Sequence, residues 1–139
     1  MSQWTRPEPD MPISEESARA QVMLLLEGYD IDPAAHTDDS RAAIEGALDK
    51  LAKYIRRGLI EVAPDLSVTQ HRKSGPDIKY AKLTGKAVIA SDSASADKPN
   101  AKIHALLGAL SGLPVEAFQS LPGDELSVAE TLAIVFFSR

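Results

Sequence analysis

The chain has 139 residues, 44% hydrophobic and 25% charged, with a net charge of −5 and no cysteine. These proportions belong to a folded globular protein of about one domain and exclude a disordered or collagen-like chain. Lack of cysteine excludes disulfides, thiolate metal sites and cysteine nucleophiles, and no apolar run approaches the roughly 18 residues of a membrane span.

Residues 1–13 carry Pro7, Pro9 and Pro12 among charges, which stops both helix and strand, so a flexible tail is expected. This opening has neither the basic start nor the apolar core of a secretion signal, and the expected compartment is the cytosol. Ser14 followed by Glu15 and Glu16 marks a helix start, because a serine oxygen can accept first-turn amides and acids suit the positive end of the dipole. Ala18, Val22, Leu25, Leu26 and Tyr29 recur on one face, and Gly28 is expected in the left-handed closing position.

"DIDPAAHTDDS" reads as a polar loop, with Asp39 or Ser40 capping a second helix. In that helix Ile44, Leu48, Leu51 and Ile55 form a continuous apolar stripe, and Gly58 ends it. From Leu59 the period changes to two: "LIEV", "LSVTQHR" and "DIKYAKL" alternate, and "KSGP" supplies turn residues, predicting a β-hairpin with one wet face. "GKAVIAS" reads as a short helical run and "DSASADKPN" as a mobile polar connector.

The last third is helical again. Ile103, Leu106, Leu107 and Leu110 form a stripe closed by Ser111 and Gly112. Pro114 is expected at the first position of a two-turn helix whose inner face is Val115, Phe118 and Leu121. The final helix starts either at Pro122 to Asp124 or one turn later at Ser127, and carries Leu126, Ala129, Leu132, Ala133, Val135, Phe136 and Phe137. Such short helices are unstable alone and must pack together or on something else.

Catalytic and metal motifs fail on inspection. Asp30, Asp32 and Asp38 match three positions of a calcium loop, but Ala35 stands where Gly is needed and Arg41 where the bidentate Glu belongs. Gly85-Lys86 has no glycine five residues before it, and Ala87 replaces the magnesium-binding hydroxyl of a phosphate loop. His36, His71 and His104 are isolated from other ligands in sequence, which favours surface or edge placement. The reading is therefore non-enzymatic, with no metal and no cofactor.

Charge is unevenly spread. Eleven acids against five bases in residues 1–55 leave −6, seven bases against three acids in residues 56–86 leave +4, and residues 87–139 carry −3. A striped helix, then "RRGLIEV", then a basic hairpin and "KLTGKA", looks like the recognition helix and wing of winged-helix regulators of the MarR type. Arg56, Arg57, Arg72 and Lys73 would then touch phosphates. Against it, the preceding loop is acidic, and Glu45, Asp49, Lys50 and Lys53 make a mixed, solvated face.

A second pattern lies in Leu106, Leu107, Leu110, Gly112, Leu113, Pro114, Leu121, Asp124, Leu132, Phe136 and Phe137. Residues 66–137 resemble the tail assembly chaperones of Mu-like and P2-like contractile-tailed phages: hairpin, small helix, Leu/Ala stripe, "GLP", short helix, and a last helix ending on Phe-Phe. Residues 1–60 are outside the resemblance. It implies a non-enzymatic protein that binds the phage tape measure protein in the host bacterial cytoplasm, keeps it soluble during tail assembly and is absent from the mature virion. Many members also occur in a frameshifted longer form, which would place that event near "VFFSR".

Leu and Phe side chains on short helices could cover an amphipathic partner helix, so Leu106, Leu110, Phe118, Leu132, Phe136 and Phe137 are the expected partner-binding residues. Homo-oligomerisation stays open, no membrane contact is expected, and nucleic acid is the alternative partner. The expected architecture is α+β and mostly helical: a tail at 1–13, an N-terminal helical pair within 14–63, and a central β-hairpin of two or three strands plus a C-terminal cluster of short helices within 64–139.

Overall fold

A computed structural model describes residues 13–86, 89 and 101–138. The protein is α+β, as expected: an N-terminal helical pair, a three-stranded antiparallel sheet and a C-terminal helical cluster. Of the expected tail at 1–13 only Ile13 is described, and its amide donates to the Arg56 carbonyl at 3.0 Å; the connector at 92–100 lies outside the described residues, and in the run "GKAVIAS", Gly85, Lys86 and Ile89 are helical.

Helix α1, Glu15–Gly28, starts where Ser14 Oγ accepts the Ser17 amide at 3.1 Å and buries Ala18, Val22 and Leu25. Its exit differs from expectation. The left-handed residue is Asp30, at φ 54°, and Gly28 is needed for space instead: a Cβ there would stand 2.5 Å from Leu66 Cδ1. A single 3-10 turn, Pro33–Ala35, follows, with the Asp32 carboxylate accepting the Ala34 amide. Helix α2, Asp38–Arg56, is capped by Thr37 rather than by Asp39 or Ser40, since Thr37 Oγ1 accepts the Ser40 amide. It buries Ile44, Ala47, Leu51 and Ile55, leaving Leu48 half-buried, and closes at Gly58 with φ 77°.

Strands β1 (Ile60–Val62), β2 (Val68–Gln70) and β3 (Ile78–Tyr80) form an antiparallel meander, the three-stranded form of the expected hairpin element. Ile60 faces Gln70, which faces Ile78; Val62 faces Val68, which faces Tyr80. All six are buried, while Glu61, Thr69 and Lys79 form the opposite face, so the two-residue period separates a dry side from a wet one. Dry alternation at this register leaves Gln70 inside with the hydrocarbons.

Helices α3 (Ala101–Ser111), α4 (Val115–Gln119) and α5 (Gly123–Phe137) complete the chain. Pro114 is the residue before α4, not its first helical residue, and α5 takes the earlier of its two possible starts. Ser127 lies inside α5, where its hydroxyl donates to the Gly123 carbonyl. Helix α2 packs against α1 and α5, and α3 against α5, α4 and β3. One hydrophobic cluster joins Leu25, Leu51, Tyr80, Leu107, Phe118, Leu132 and Phe136, and so runs across both halves of the sequence.

Tyr29 ties these layers together. Its ring meets Phe136 edge-on at 5.8 Å, its hydroxyl donates to the Leu66 carbonyl, and the Leu83 amide donates to that hydroxyl at 2.8 Å. Phe118 is fully buried with its ring 6.5 Å from Tyr80. Phe118→Ala should therefore lower unfolding stability by about 3–5 kcal/mol in a urea titration, the usual cost of emptying a large aromatic site.

Candidate functional site

The six expected partner-binding residues divide five to one. Leu106, Leu110, Phe118, Leu132 and Phe136 are at most 5% exposed, so their side chains close the protein's own core and offer no docking face. Only Phe137 is available, at 40% exposed. The reason is the position of α5. Val128, Ala129, Thr131, Leu132, Ala133, Val135 and Phe136 are buried because α2 and α3 both pack against it. Its outer edge alone is open: Ile134, 39% exposed, and Phe137 lie one turn apart, with Glu130 preceding them on the same edge. Glu130 receives His104 of α3 at 3.3 Å, where the histidine side chain is only 12% exposed. At the C-terminal end, His36 Nε2 lies 3.1 Å from the Ser138 carbonyl, fastening α5 to the loop before α2.

The first turn of α5 holds a second feature, which sequence reasoning missed. Glu125 sits 9% exposed at the edge of the core and gathers donors from the β2–β3 loop. Arg72 Nε donates to Oε1 at 2.7 Å, Ser74 Oγ donates to the same carboxylate at 2.7 and 2.8 Å, and the Ser74 amide adds a longer bond. Gln70 Nε2 donates to the Glu125 carbonyl at 2.9 Å, and Tyr80 donates to Gln70 Oε1 at 2.8 Å. The Arg72 hydrogen bond, then that of Ser74, holds the Glu125 carboxyl below the usual glutamate range, and burial raises the Tyr80 phenol far above its ordinary value. Every buried polar group in this chain of contacts has a partner, which is why Gln70 is tolerated inside.

No protein-family model, curated protein or solved structure matches this chain.

The four cations of the winged-helix expectation occupy three different settings. Arg72 is held by Glu125. Arg56 lines a groove of about 380 Å³ between α1 and α2, floored by Ala18, Val22, Leu48 and Ala52, and its buried Nε has no hydrogen-bond partner. Arg57 and Lys73 line one cleft between the end of α2, the sheet and the start of α5. His71 stands at that cleft between two carboxylates, Nδ1 2.9 Å from Asp77 and Nε2 3.3 Å from Glu61. Partial burial works against its charge, but the hydrogen bonds to Asp77 and Glu61 outweigh it and raise its pKa.

Among the described residues, no group of three or more His, Asp or Glu could hold a metal ion, and no helix is long and apolar enough to cross a membrane. The sequence showed Phe137 as apolar but could not show it as the exposed member of its set. For Glu125 a signal existed, an acid opening a largely apolar helix, but its partner lies 53 residues away.

Because the Glu125 pKa is depressed on folding, its pairing stabilises the protein above the ordinary glutamate range and is lost as pH falls through the depressed value. Glu125→Gln should melt at lower temperature than the wild type at neutral pH. The gap should close on acidification. Asp65, also depressed mainly by Ser67, is common to both proteins and cancels from the difference. A gap independent of pH would mean that the Arg72 contact contributes nothing through charge.

Proposed function

We propose that this protein is a non-enzymatic tail assembly chaperone that binds the phage tape measure protein and keeps it soluble in the host cytoplasm until the tail is built. The observation that carries the reading is the open apolar edge of α5, where Ile134 and Phe137 are exposed one turn apart in a half of the helix that is otherwise largely buried. An amphipathic partner helix could cover such a row while its polar side stays wet. The resemblance of residues 66–137 supports this reading, and with Leu132 and Phe136 buried the proposed contact is made by Ile134 and Phe137. A winged-helix role would ask Arg72 to reach a phosphate, and Arg72 is engaged by Glu125.

Co-expression tests this directly. Wild-type protein should raise the soluble fraction of the tape measure protein severalfold, and the double variant Ile134→Glu, Phe137→Glu should lose that effect while keeping its own circular dichroism spectrum. Equal rescue by the folded double variant would remove the α5 edge from the contact, and no rescue by the wild type would remove the chaperone reading.

A further inference from the structure

The cleft between α2, the sheet and α5 is a concavity of about 680 Å³, within the range of roughly 300–1,000 Å³ typical of small-molecule sites. Three cations line it: Lys53 from the last turn of α2, Arg57 at its cap, and Lys73 from the loop between β2 and β3. None of the three makes an ion pair or a side-chain hydrogen bond among the described residues. The acids at the cleft do not answer them. Glu125 is taken by Arg72 and Ser74, which leaves only the exposed Asp124. The negative end of the α2 dipole accounts for Lys53 and Arg57 on their own helix, but not for Lys73, which arrives from another element. Lys53, Arg57 and Lys73 are all exposed, so water screens them from one another, and an anion held among them would supply the partner that no protein group provides. Tyr54 and Leu59, both half-buried, give the same cleft an apolar wall.

We infer that this cleft binds a small organic phosphate, with its phosphate among Lys53, Arg57 and Lys73 and its apolar part against Tyr54 and Leu59. Among the lining residues outside the Arg72–Glu125 pair, three cations stand against Asp124 alone, a surplus of positive charge that favours a phosphomonoester dianion. A guanidinium fork suits two phosphate oxygens at once, and the two ammonium groups act as point charges. The phosphates of a nucleic acid share this chemistry. A concave site of this volume suits a compact ligand better than a duplex backbone.

Calorimetric titration of the full chain with adenosine 5′-monophosphate, adenosine and a short DNA duplex separates these sources. The monophosphate should bind saturably at one site, and adenosine at least about tenfold more weakly, as the loss of a charge-assisted contact requires. Arg57→Ala and Lys73→Ala should each weaken the monophosphate about tenfold without changing the melting temperature. Lys79→Ala, on the wet face of the sheet, should leave binding unchanged. Equal binding of adenosine and its monophosphate, indifference to both cleft variants, binding of the duplex alone, or no monophosphate binding at millimolar concentration would each overturn the inference.

Discussion

Helix α5 is apolar on all but one edge, and the rest of the molecule is arranged to cover it. Residues Val128 to Phe136 put hydrocarbon on nearly every face, so α2 packs along one side and α3 along another, and Tyr29 closes the end with an edge-on contact to Phe136. A short helix of this composition has no stable existence alone, because the bonds gained along fifteen residues barely offset their lost freedom. Tertiary contact makes it a helix. At the last turn of α5 Ser138 is buried, and its carbonyl is met by His36.

The sheet is joined to that helix by polar contacts as well as by packing. Gln70 and Tyr80 point from the dry face of the sheet toward the start of α5, and Arg72 and Ser74 close on Glu125 from the adjoining loop. Buried donors and acceptors left without partners are costly, so this set of bonds fixes one register between sheet and helix where a purely apolar contact would tolerate sliding. It also removes Arg72 from the free positive charge of the basic middle segment, whose remaining unpaired cations at the cleft are thereby concentrated in one place.

Function on this molecule is confined to what packing leaves open. The groove between α1 and α2 and the basic cleft meet at Lys53, which lines both, and with the α5 edge they offer mixed, cationic and apolar chemistry respectively. A protein partner on the α5 edge and an anion in the cleft need not compete, since Ile134 and Phe137 sit at the end of α5 opposite to Asp124 and Glu125.

Sequence alone determined the helical pair, the change of period at Leu59, the caps at Ser14 and Gly58, and the dry positions Leu51, Ile55, Leu106 and Leu107. Each of these depends on side chains within a few residues of one another, through helix geometry, strand alternation or a first-turn amide. Tertiary structure alone decided that Phe136 is sealed while Phe137 is open, that Gly28 makes room for Leu66 rather than turning the chain, and that Arg72 belongs to Glu125. Apolar residues all round a helix state only that it is covered. Which face meets which neighbour depends on elements far along the chain, such as Tyr29 for Phe136, and local periodicity carries no record of them.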